Sequence, residues 1–348
     1  MEICIKTPFG TSEIVIQKGL FASLAEDIRS LSQGKIFLVS DTHVDPLYGE
    51  ALFAALKETG EVEKFVFPAG EDAKSFDTYG RLLEALASCQ MARSDVVVAL
   101  GGGVTGDLAG FAAATFKRGV RFLMVPTSLL SQVDAAVGGK TAINLSAGKN
   151  LAGAFYAAEK VFIDPELLKT LPERELSSGM AEVIKCAAIK DAALFEELVA
   201  GDGMKDLERL IGSAIQIKAD LVARDPFDRG ERMLLNFGHT FGHAVEKASG
   251  SLLHGEAVGI GMLEVTRRSE ALGMTEKGTF KKLERALKNA RLPLHCACDR
   301  QEIRAYLAQD KKYFNGKQNL IVIRRPGAGE IVPVKKDFWE EKGCVQDY

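Results

Sequence analysis

Residues 94–115, SDVVVALGGGVTGDLAGFAAAT, decide the fold. The β-branched apolar run at 94–100 predicts a buried strand, and residues 104–115 predict a helix that starts directly after three glycines. The turn at 101–106 formally matches the pattern G-x-G-x-x-G. Backbone N–H groups at such a helix N-terminus can meet a pyrophosphate, so we expect a dinucleotide here, although the same glycines could serve packing alone.

Strand-like and helix-like segments alternate on both sides of this turn. Strands are predicted at 35–40, 62–67, 94–100 and 121–125, and helices at 46–59, 76–90 and 104–115. Such βαβ alternation is typical of a parallel sheet with right-handed crossovers. Residues 1–170 are therefore predicted to form an α/β domain with a mostly parallel sheet and a Rossmann-like dinucleotide site.

Helical periodicity dominates from about residue 172. Helices are predicted at 173–189, 191–198, 207–223, 231–248 and 256–272, and strands return only at 319–324 and 330–334. Residues 171–348 are therefore predicted to form a mainly helical second domain. Two domains also agree with the length, because 348 residues exceed what one hydrophobic core usually accommodates.

Composition and charge exclude several classes of protein. The chain is 47% hydrophobic and 26% charged, as in a globular enzyme, and its net charge of -3 does not favour a nucleic acid partner. We find no secretory signal pattern and no apolar run that could span a bilayer. The six cysteines are scattered, which does not suit a disulfide framework. We therefore expect a cytoplasmic protein with no membrane or nucleic acid partner.

The acidic residue that usually binds the ribose of a dinucleotide is missing from its ordinary place. About 20 residues after the glycine turn the chain has Arg118 and Arg121 instead of an Asp or Glu. Asp41, at the end of the strand predicted at 35–40, is the better ribose ligand. The segment 70–74, which follows another predicted strand, could add polar contacts. A dinucleotide is therefore expected in a layout that differs from the ordinary Rossmann pattern.

Glycines and lysines are combined in two neighbouring stretches, DAAVGGK at 134–140 and GKN at 148–150. Glycines let the backbone approach an anion while Lys140 and Lys149 neutralise it. The two lysines could equally lie on a solvated loop. Residues 141–145 between them are largely apolar, however, and this favours a segment that packs.

Glu182 and Lys185 are spaced i and i+3 on one predicted helix. A surface ion pair is the ordinary explanation for such a spacing. The residues around Glu182 are apolar, so we expect the carboxylate to be half buried. A buried carboxylate needs a cation, and a metal ion would serve.

Three of the five histidines, His239, His243 and His254, lie within sixteen positions. His239 and His243 are one helical turn apart, a spacing that suits a shared metal ion or substrate. Together with a nearby glutamate they indicate a Zn²⁺ site with an open position. The residue types alone leave the ligands open among His239, His243, His254, Glu182 and Glu256.

Seven motifs in this order resemble the 3-dehydroquinate synthases of the sugar phosphate cyclase superfamily. They are GGGVTGD at 101–107, PTSLL at 126–130, VGGKT at 137–141, GKN at 148–150, AEVIK at 181–185, NFGHTFGH at 236–243 and HGEAV at 254–258. The resemblance extends from about residue 35 to 316. Some positions depart from the family pattern, such as Ala135 and Ala136 in place of serines, but none of these changes removes a residue with a proposed chemical role.

The resemblance assigns a role to each group of residues. It implies that Glu182, His239 and His254 bind the metal, either Zn²⁺ or Co²⁺, whereas His243 contacts the substrate. The implied NAD contacts are Asp41, Gly70, Glu71, Lys74, Gly101, Gly102, Gly103, Val104, Thr105, Gly106, Asp107, Thr127, Ser128, Lys140, Lys149, Leu167, Leu168, Lys169 and Thr170. The implied substrate contacts are Arg118, Asp134, Lys140, Lys149, Asn150, Lys185, Lys218, Arg232, Asn236, His243 and either Lys311 or Lys312.

The resemblance also implies a reaction and an assembly. The expected substrate is 3-deoxy-D-arabino-heptulosonate 7-phosphate, which a homodimeric enzyme converts to 3-dehydroquinate and phosphate with transient oxidation at C5 by NAD. A sister cyclase acting on a sugar phosphate without the carboxylate, an iron-type polyol dehydrogenase and a non-catalytic NAD-binding relative are the alternatives. Arg232 and Asn236, spaced i and i+4 on the helix predicted at 231–248, are expected to share one face and to hold the carboxylate.

Overall fold

The computed structural model describes residues 1–32, 34–201, 206–308 and 317–339. Contacts divide the chain into two compact units, Met1–Leu171 and Pro172–Tyr348. Within the described ranges, every helix is too short or too polar to cross a membrane.

The first unit is built on a mostly parallel sheet. Its strands are β1 (Glu2–Thr7), β2 (Gly10–Ile16), β3 (Ile36–Asp41), β4 (Val62–Phe67), β5 (Val96–Gly101), β6 (Arg121–Pro126), β7 (Lys140–Leu145), β8 (Gly148–Phe155) and β9 (Lys160–Ile163). Its α-helices are α1 (Leu24–Leu31), α2 (Glu50–Glu58), α3 (Phe76–Ser88) and α4 (Gly103–Thr115). In the part of this unit that the structure describes, seven strands follow the order β1-β2-β9-β6-β5-β3-β4, and β7 and β8 form a separate antiparallel hairpin.

The centre of the sheet is buried on both faces, as the continuous apolar runs predict. Every residue of β3 and of β5 is buried. Leu38, Val98 and Leu123 belong to one hydrophobic core with residues of the flanking helices. Parallel strands need crossover connections that cover both faces of the sheet, which explains why these strands read as unbroken hydrophobic runs. The predicted fold class of the N-terminal half is confirmed.

The carboxyl ends of the central strands carry several of the predicted cofactor residues. Asp41 is the last residue of β3, Gly101 is the last residue of β5, and Thr127 follows β6. The segment 70–74 comes shortly after β4. Neighbouring parallel strands end on the same side, so these residues lie along one edge of the sheet, where ligands of such folds bind.

The second unit is mainly helical, as predicted. Its α-helices are α5 (Glu173–Lys190), α6 (Ala192–Ala200), α7 (Leu207–Arg224), α8 (His239–Ser249), α9 (His254–Ala271), α10 (Thr279–Asn289) and α11 (Arg300–Ala308). Two strands, β10 (Lys317–Arg325) and β11 (Ala328–Lys335), form an antiparallel hairpin. The central helix is α5, in which every residue from 177 to 189 is buried.

The prediction of a single helix at 231–248 is wrong. A 3₁₀ helix covers Glu231–Asn236, and α8 begins only at His239. Gly238 separates them with a φ of 80°, a conformation that favours glycine. A Cβ at this position would lie 2.7 Å from the carbonyl oxygen of Val258, so the break lets α8 and α9 approach closely.

Gly255 fixes the distance between α9 and α5. Its N–H donates to Ser178 Oγ at 3.1 Å. A Cβ at position 255 would lie only 1.9 Å from the carbonyl oxygen of Ser178. Ser178 is one helical turn before Glu182 on α5, and Gly255 directly follows His254. The absence of a side chain at Gly255 therefore brings His254 toward Glu182.

We predict that Gly255→Ala lowers the free energy of unfolding by about 2 kcal/mol or more, because the added methyl group must displace backbone. The matched control is Gly80→Ala in α3, where nothing lies within 4 Å of the new Cβ. That variant should gain roughly 0.5–1 kcal/mol from helix propensity. Urea unfolding of both variants measures the difference. Unchanged stability of Gly255→Ala would show that α5 and α9 can separate at no cost.

Candidate active site

The glycine turn of the first unit is closely packed at its two ends. A Cβ at Gly101 would lie 2.3 Å from Thr105 Oγ1, and one at Gly106 would lie 2.3 Å from Met124 Cε. Gly101 therefore leaves no space for a side chain, whereas at Gly106 the flexible end of Met124 would have to move. The first N–H groups of α4 follow at once. This is the geometry with which a helix N-terminus receives a pyrophosphate.

Asp41 is held next to this turn. Its Oδ2 accepts a hydrogen bond from Thr105 Oγ1 at 3.1 Å, and its Oδ1 accepts from the backbone N–H groups of His43 and Val44 at 2.9 and 3.0 Å. The Asp41 carboxylate therefore links the end of strand β3 to helix α4. Asp41 lies where a ribose ligand is expected, at the carboxyl end of β3 beside the glycine turn. Its role as a ribose ligand stays a prediction.

Lys74 connects its own segment to two others that are far away in sequence, those of Asp107 and Asn150. It is only 4% exposed and donates hydrogen bonds to Asp107 Oδ2 and to Asn150 Oδ1. Asn144 extends the network, because its Oδ1 accepts from the N–H of Asn150 at 2.9 Å and its Nδ2 donates to Glu71 Oε1 at 2.8 Å. Sequence reasoning missed Asn144, although an asparagine between apolar residues of a predicted packing segment was a usable signal.

Burial raises the pKa of Asp107 to about 6. Lys74 acts in the opposite direction by charge and by hydrogen bonding, and the carboxylates of Glu71 and Asp134 raise the pKa further. Asp107 and Asp134, predicted for cofactor and substrate respectively, therefore influence each other electrostatically. The proton on Asp107 can be held or lost near neutral pH.

The remaining predicted residues of the first unit lie in turns and strands, and Arg118, which precedes β6, lies at the end of the sheet opposite to the glycine turn. The N–H of Thr127 donates to the carbonyl oxygen of Gly101 at 3.0 Å, and Ser128 Oγ accepts from the N–H of Ser131 at 3.3 Å. A 3₁₀ helix, Pro165–Thr170, contains the predicted residues 167–170. Lys140, Lys149 and Arg118 are exposed, and Arg118 has a φ of 63° in a tight turn.

The second unit contains a cluster that could hold a metal ion. One ligand atom each from Glu182, His239 and His254 lies within 4.8 Å of the others, and this is the only such group that the described ranges contain. Glu182 is 1% exposed. Its Oε2 accepts a hydrogen bond from Lys185, which is equally buried. Its Oε1 is buried and has no hydrogen-bond partner in the described structure.

Both imidazoles turn their Nε2 atoms toward this carboxylate oxygen. The Nε2 atoms of His239 and His254 lie 3.7 and 3.8 Å from Glu182 Oε1. On the other side of each ring, Nδ1 of His239 contacts the carbonyl oxygen of Phe237 at 3.2 Å, and Nδ1 of His254 contacts Glu246 Oε2 at 3.1 Å. Such contacts at Nδ1 fix the ring and leave Nε2 to face a metal.

Electrostatics also suit a cation at this point. Burial, followed by the charge of Lys185 and the two other histidines, lowers the pKa of His239 well below its usual value, so the ring is neutral. A neutral imidazole is the form that binds a metal. Two nitrogen atoms and one carboxylate oxygen fit Zn²⁺ or Co²⁺ with positions left for a substrate.

Glu256, which the residue types left open as a ligand, has another role. Its two oxygen atoms accept hydrogen bonds from Arg174 Nε and Nη2, both at 2.7 Å. Its Oε2 also accepts from the N–H of Leu253 at 2.8 Å and so caps the N-terminus of α9. Glu256 therefore positions the helix that begins with His254. Neither Glu256 nor Glu246, which contacts His254 directly, was assigned this positioning role from the sequence.

His243 lies beside the cluster without belonging to it. Its ring centroid is 5.3 Å from that of His239 and 5.8 Å from that of His254, and the residue is exposed. This placement is consistent with a histidine that faces a substrate. Lys218 lies on α7 and is 5% exposed.

Arg232 is a buried residue, so it does not belong to an ordinary surface ion pair. It is 2% exposed, and its Nη1 donates to the carbonyl oxygen of Pro226 at 2.6 Å. The expectation that Arg232 and Asn236 share an α-helical face is wrong, because the 3₁₀ helix that contains them repeats every three residues. Lys311 and Lys312, the remaining predicted contacts, lie outside the described residues.

Comparison with solved structures gives the class. The chain matches 2-deoxy-scyllo-inosose synthase complexed with carbaglucose-6-phosphate, NAD⁺ and Co²⁺ at a TM-score of 0.87, with 25% identity, over 97% of this chain and 98% of that one. It matches 2-epi-5-epi-valiolone synthase from Streptomyces hygroscopicus subsp. jinggangensis, with NAD⁺ and Zn²⁺ bound, at a TM-score of 0.85, with 31% identity, over 94% of both chains. The fold is that of the sugar phosphate cyclases.

Sequence comparison gives the family. Models of the N-terminal and C-terminal parts of 3-dehydroquinate synthase match residues 64–178 and 179–313. A 3-dehydroquinate synthase from Clostridium acetobutylicum is 43% identical over 323 residues, 90% of this chain and 91% of the relative. The chain belongs to the 3-dehydroquinate synthase family, which confirms the resemblance and the expected class of phosphate-eliminating lyase.

We predict that Glu182→Ala, His239→Ala and His254→Ala each lose bound Zn²⁺ or Co²⁺, since each removes a ligand that the other two cannot replace. His243→Ala is the matched control, because it removes an imidazole of α8 outside the ligand group. It should keep most of the metal. Elemental analysis after dialysis decides between them. Equal metal loss in the His243 variant would contradict the assignment.

We predict that Asp107→Asn changes how stability depends on pH. The folded chain holds the Asp107 proton up to about pH 6, against an ordinary pKa of 3.8, so the contribution of this carboxyl group to stability is present at low pH and is lost as the pH rises through 6. The shift corresponds to at most about 3 kcal/mol. The parent should therefore lose roughly 2–3 kcal/mol relative to the variant between about pH 4 and about pH 7.

Urea unfolding at constant ionic strength measures this difference. The loss of the Lys74 partner adds an offset that does not vary with pH over this range. Asp77→Asn, which removes an exposed carboxylate of α3, is the control. A difference between Asp107→Asn and the parent that is flat from pH 4 to pH 7 would contradict the raised pKa.

Proposed function

We propose that this chain acts as a 3-dehydroquinate synthase. The reaction converts 3-deoxy-D-arabino-heptulosonate 7-phosphate to 3-dehydroquinate and phosphate through oxidation at C5, phosphate elimination, re-reduction, ring opening and aldol cyclisation. The cofactors are NAD and a divalent metal, Zn²⁺ or Co²⁺. Membership of the family and the two sets of side chains described above support this proposal.

The observation that carries the proposal is the state of the Glu182 carboxylate. A buried carboxylate costs several kcal/mol unless both oxygen atoms have partners. Lys185 satisfies Oε2, whereas Oε1 has two imidazole Nε2 atoms 3.7 and 3.8 Å away and no hydrogen-bond donor in the described part of the chain. A divalent cation between these three atoms would satisfy all of them.

Each cofactor supplies one kind of chemistry when it is bound. A divalent metal polarises hydroxyl and carbonyl oxygens as a Lewis acid, and NAD accepts and returns a hydride. The chain itself must hold these groups and keep them in place. Lys185 holds the carboxylate of Glu182, Glu246 orients the ring of His254, and the Asp41–Thr105 contact fixes the glycine turn.

The substrate carries a phosphate and a carboxylate, so its binding needs several cations. In the second unit Lys218, Arg232 and His243 are proposed to supply them. Arg232 is buried and its guanidinium is directed by the carbonyl oxygen of Pro226, which reduces the entropy lost when a carboxylate binds. In the first unit Arg118, Asp134, Lys140, Lys149 and Asn150 are proposed as further substrate contacts.

The family resemblance also supports a homodimer that works in the cytoplasm. Both statements are part of the proposal. A small sugar phosphate as the substrate agrees with the family to which the chain belongs.

We predict that the purified protein, with NAD⁺ and Zn²⁺ or Co²⁺, releases phosphate from the heptulosonate phosphate without net formation of NADH. The reason is that the hydride taken from C5 returns to the product within each turnover. Phosphate release and nicotinamide absorbance are followed together. NADH that accumulates in proportion to product would indicate a dehydrogenase, and faster turnover of glucose 6-phosphate, which lacks the carboxylate, would indicate a sister cyclase.

The same assay tests Arg232. Arg232→Ala should lower kcat/KM for the heptulosonate phosphate about ten- to hundredfold, since a charge-assisted contact is worth roughly 1.5–3 kcal/mol. Arg229→Ala, which changes an exposed arginine three residues before Arg232, is the matched control and should change kcat/KM little. Metal content and urea unfolding verify that both variants are folded. Equal effects of the two substitutions would remove Arg232 from the proposed substrate site.

A further inference from the structure

The second unit contains a cavity of about 340 Å³ that is separate from the metal cluster. Its walls come from α8, α9, α11, the segment 294–298 and Trp339. Glu182, His239 and His254 do not line it. Phe241, which does, is two residues from both His239 and His243 on α8 and so points away from the face they share. The cavity therefore opens behind the helix that carries the site histidines.

One side of the cavity is apolar and aromatic. The rings of Phe241 and Trp339 are stacked, with centroids 5.6 Å apart and planes 29° apart. Leu263, Ile303 and Leu307 continue this wall. Cavities of this volume with aromatic walls are the usual size for a small organic ligand. Trp339 is only 5% exposed, with Arg268 over its ring at 5.8 Å, so a planar ring would gain apolar burial and ring contacts mainly against Phe241 and the exposed part of Trp339.

The other side is cationic. Arg267, Arg268, Arg300 and Arg304 line the cavity, together with one carboxylate, Glu264. Glu264 already accepts hydrogen bonds from Arg267 Nη2 at 2.8 and 2.9 Å and from Arg268 Nε at 2.5 Å. The lining therefore has four guanidinium groups against a single carboxylate that two of them share.

Arg300 and Arg304 have no ion pair in the ranges that the structure describes. They are spaced i and i+4 on α11, so their guanidinium groups lie on one helix face toward the same cavity. Both residues are exposed, and like charges at this spacing destabilise a helix slightly, so an anion bound between them would relieve the repulsion. Guanidinium groups bind carboxylates through paired N–H···O contacts.

We propose that this cavity binds a small aromatic carboxylate, with the ring against Phe241 and Trp339 and the carboxylate between Arg300 and Arg304. A metal site built from His295, Cys296 and Cys298, which also line the cavity, is less suitable. The described ranges place no three His, Cys, Asp or Glu ligand atoms together except in the Glu182 cluster. The ligand site does not depend on the proposed function, because it uses none of the residues of that site.

The chain offers a direct probe of this cavity. Trp339 is the only tryptophan, so intrinsic tryptophan fluorescence reports on the cavity wall alone. Titration of the full-length protein with 3-phenylpropanoate should give a saturable change in this fluorescence and a matching binding isotherm in calorimetry. The neutral amide, 3-phenylpropanamide, should bind at least about tenfold more weakly, because it lacks the charge that the arginines recognise.

Substitutions locate the binding site. Arg300→Gln and Arg304→Gln should each weaken 3-phenylpropanoate binding by about tenfold or more. Arg285→Gln, an exposed arginine of α10 outside the cavity, should leave it unchanged. Turnover of the heptulosonate phosphate should persist in both cavity variants.

Several results would overturn the proposal. One is the absence of a saturable fluorescence change, and another is equal affinity for the carboxylate and the amide. Inorganic phosphate that binds as tightly as 3-phenylpropanoate would show a plain anion site, in which the aromatic wall has no role. Unchanged binding in Arg300→Gln and Arg304→Gln would place the ligand elsewhere.

Discussion

The buried carboxylate of Glu182 is the constraint on which the candidate site depends. A charge in the middle of α5, at 1% exposure, is stable only if its surroundings supply positive charge or hydrogen-bond donors. The side chain of Lys185, one helical turn away, provides for one oxygen atom only. The other oxygen atom has no hydrogen-bond donor in the described structure, and two imidazoles from α8 and α9 converge on it. A divalent cation therefore suits the space between these three side chains.

Close packing of backbone makes this convergence possible. Gly255 lets α9 approach the carbonyl oxygen of Ser178 on α5, and Gly238 lets α8 approach α9. Beyond the ligands, Glu256 caps α9 and Glu246 holds the ring of His254. These contacts keep the ligand atoms in place before any metal binds, and a preformed site of this kind loses little entropy on binding.

The sequence predicted those elements whose apolar pattern repeats over a long stretch. The strands β3 to β6 were found because both faces are buried, and α5, α7 and α9 because they are long. The hairpin β7–β8 was missed, since no residue of β8 is buried and its sequence has no clear apolar alternation. The helix predicted at 231–248 failed at Gly238, where packing against α9 outweighed a helical periodicity that continues through the break.

The candidate site was only partly accessible to sequence reasoning. The spacing of the residues identified His239, His243 and Glu182 as candidates. Only the family resemblance indicated that His254, and not Glu256, is a metal ligand. Glu246 and Asn144 have roles that come from contacts between distant or separately folded segments, and no local pattern reports such contacts. Geometry was needed to see that Glu256 binds Arg174 and that Arg232 is buried.

The most direct test of the metal centre is a crystal of the protein grown with Zn²⁺, with anomalous diffraction recorded at the zinc absorption edge. The account predicts one strong peak about 2.0–2.2 Å from Glu182 Oε1, His239 Nε2 and His254 Nε2. A zinc ion bound instead by His243 or Glu256, or a Glu182 carboxylate that is bound only by Lys185 while zinc lies elsewhere, would contradict it.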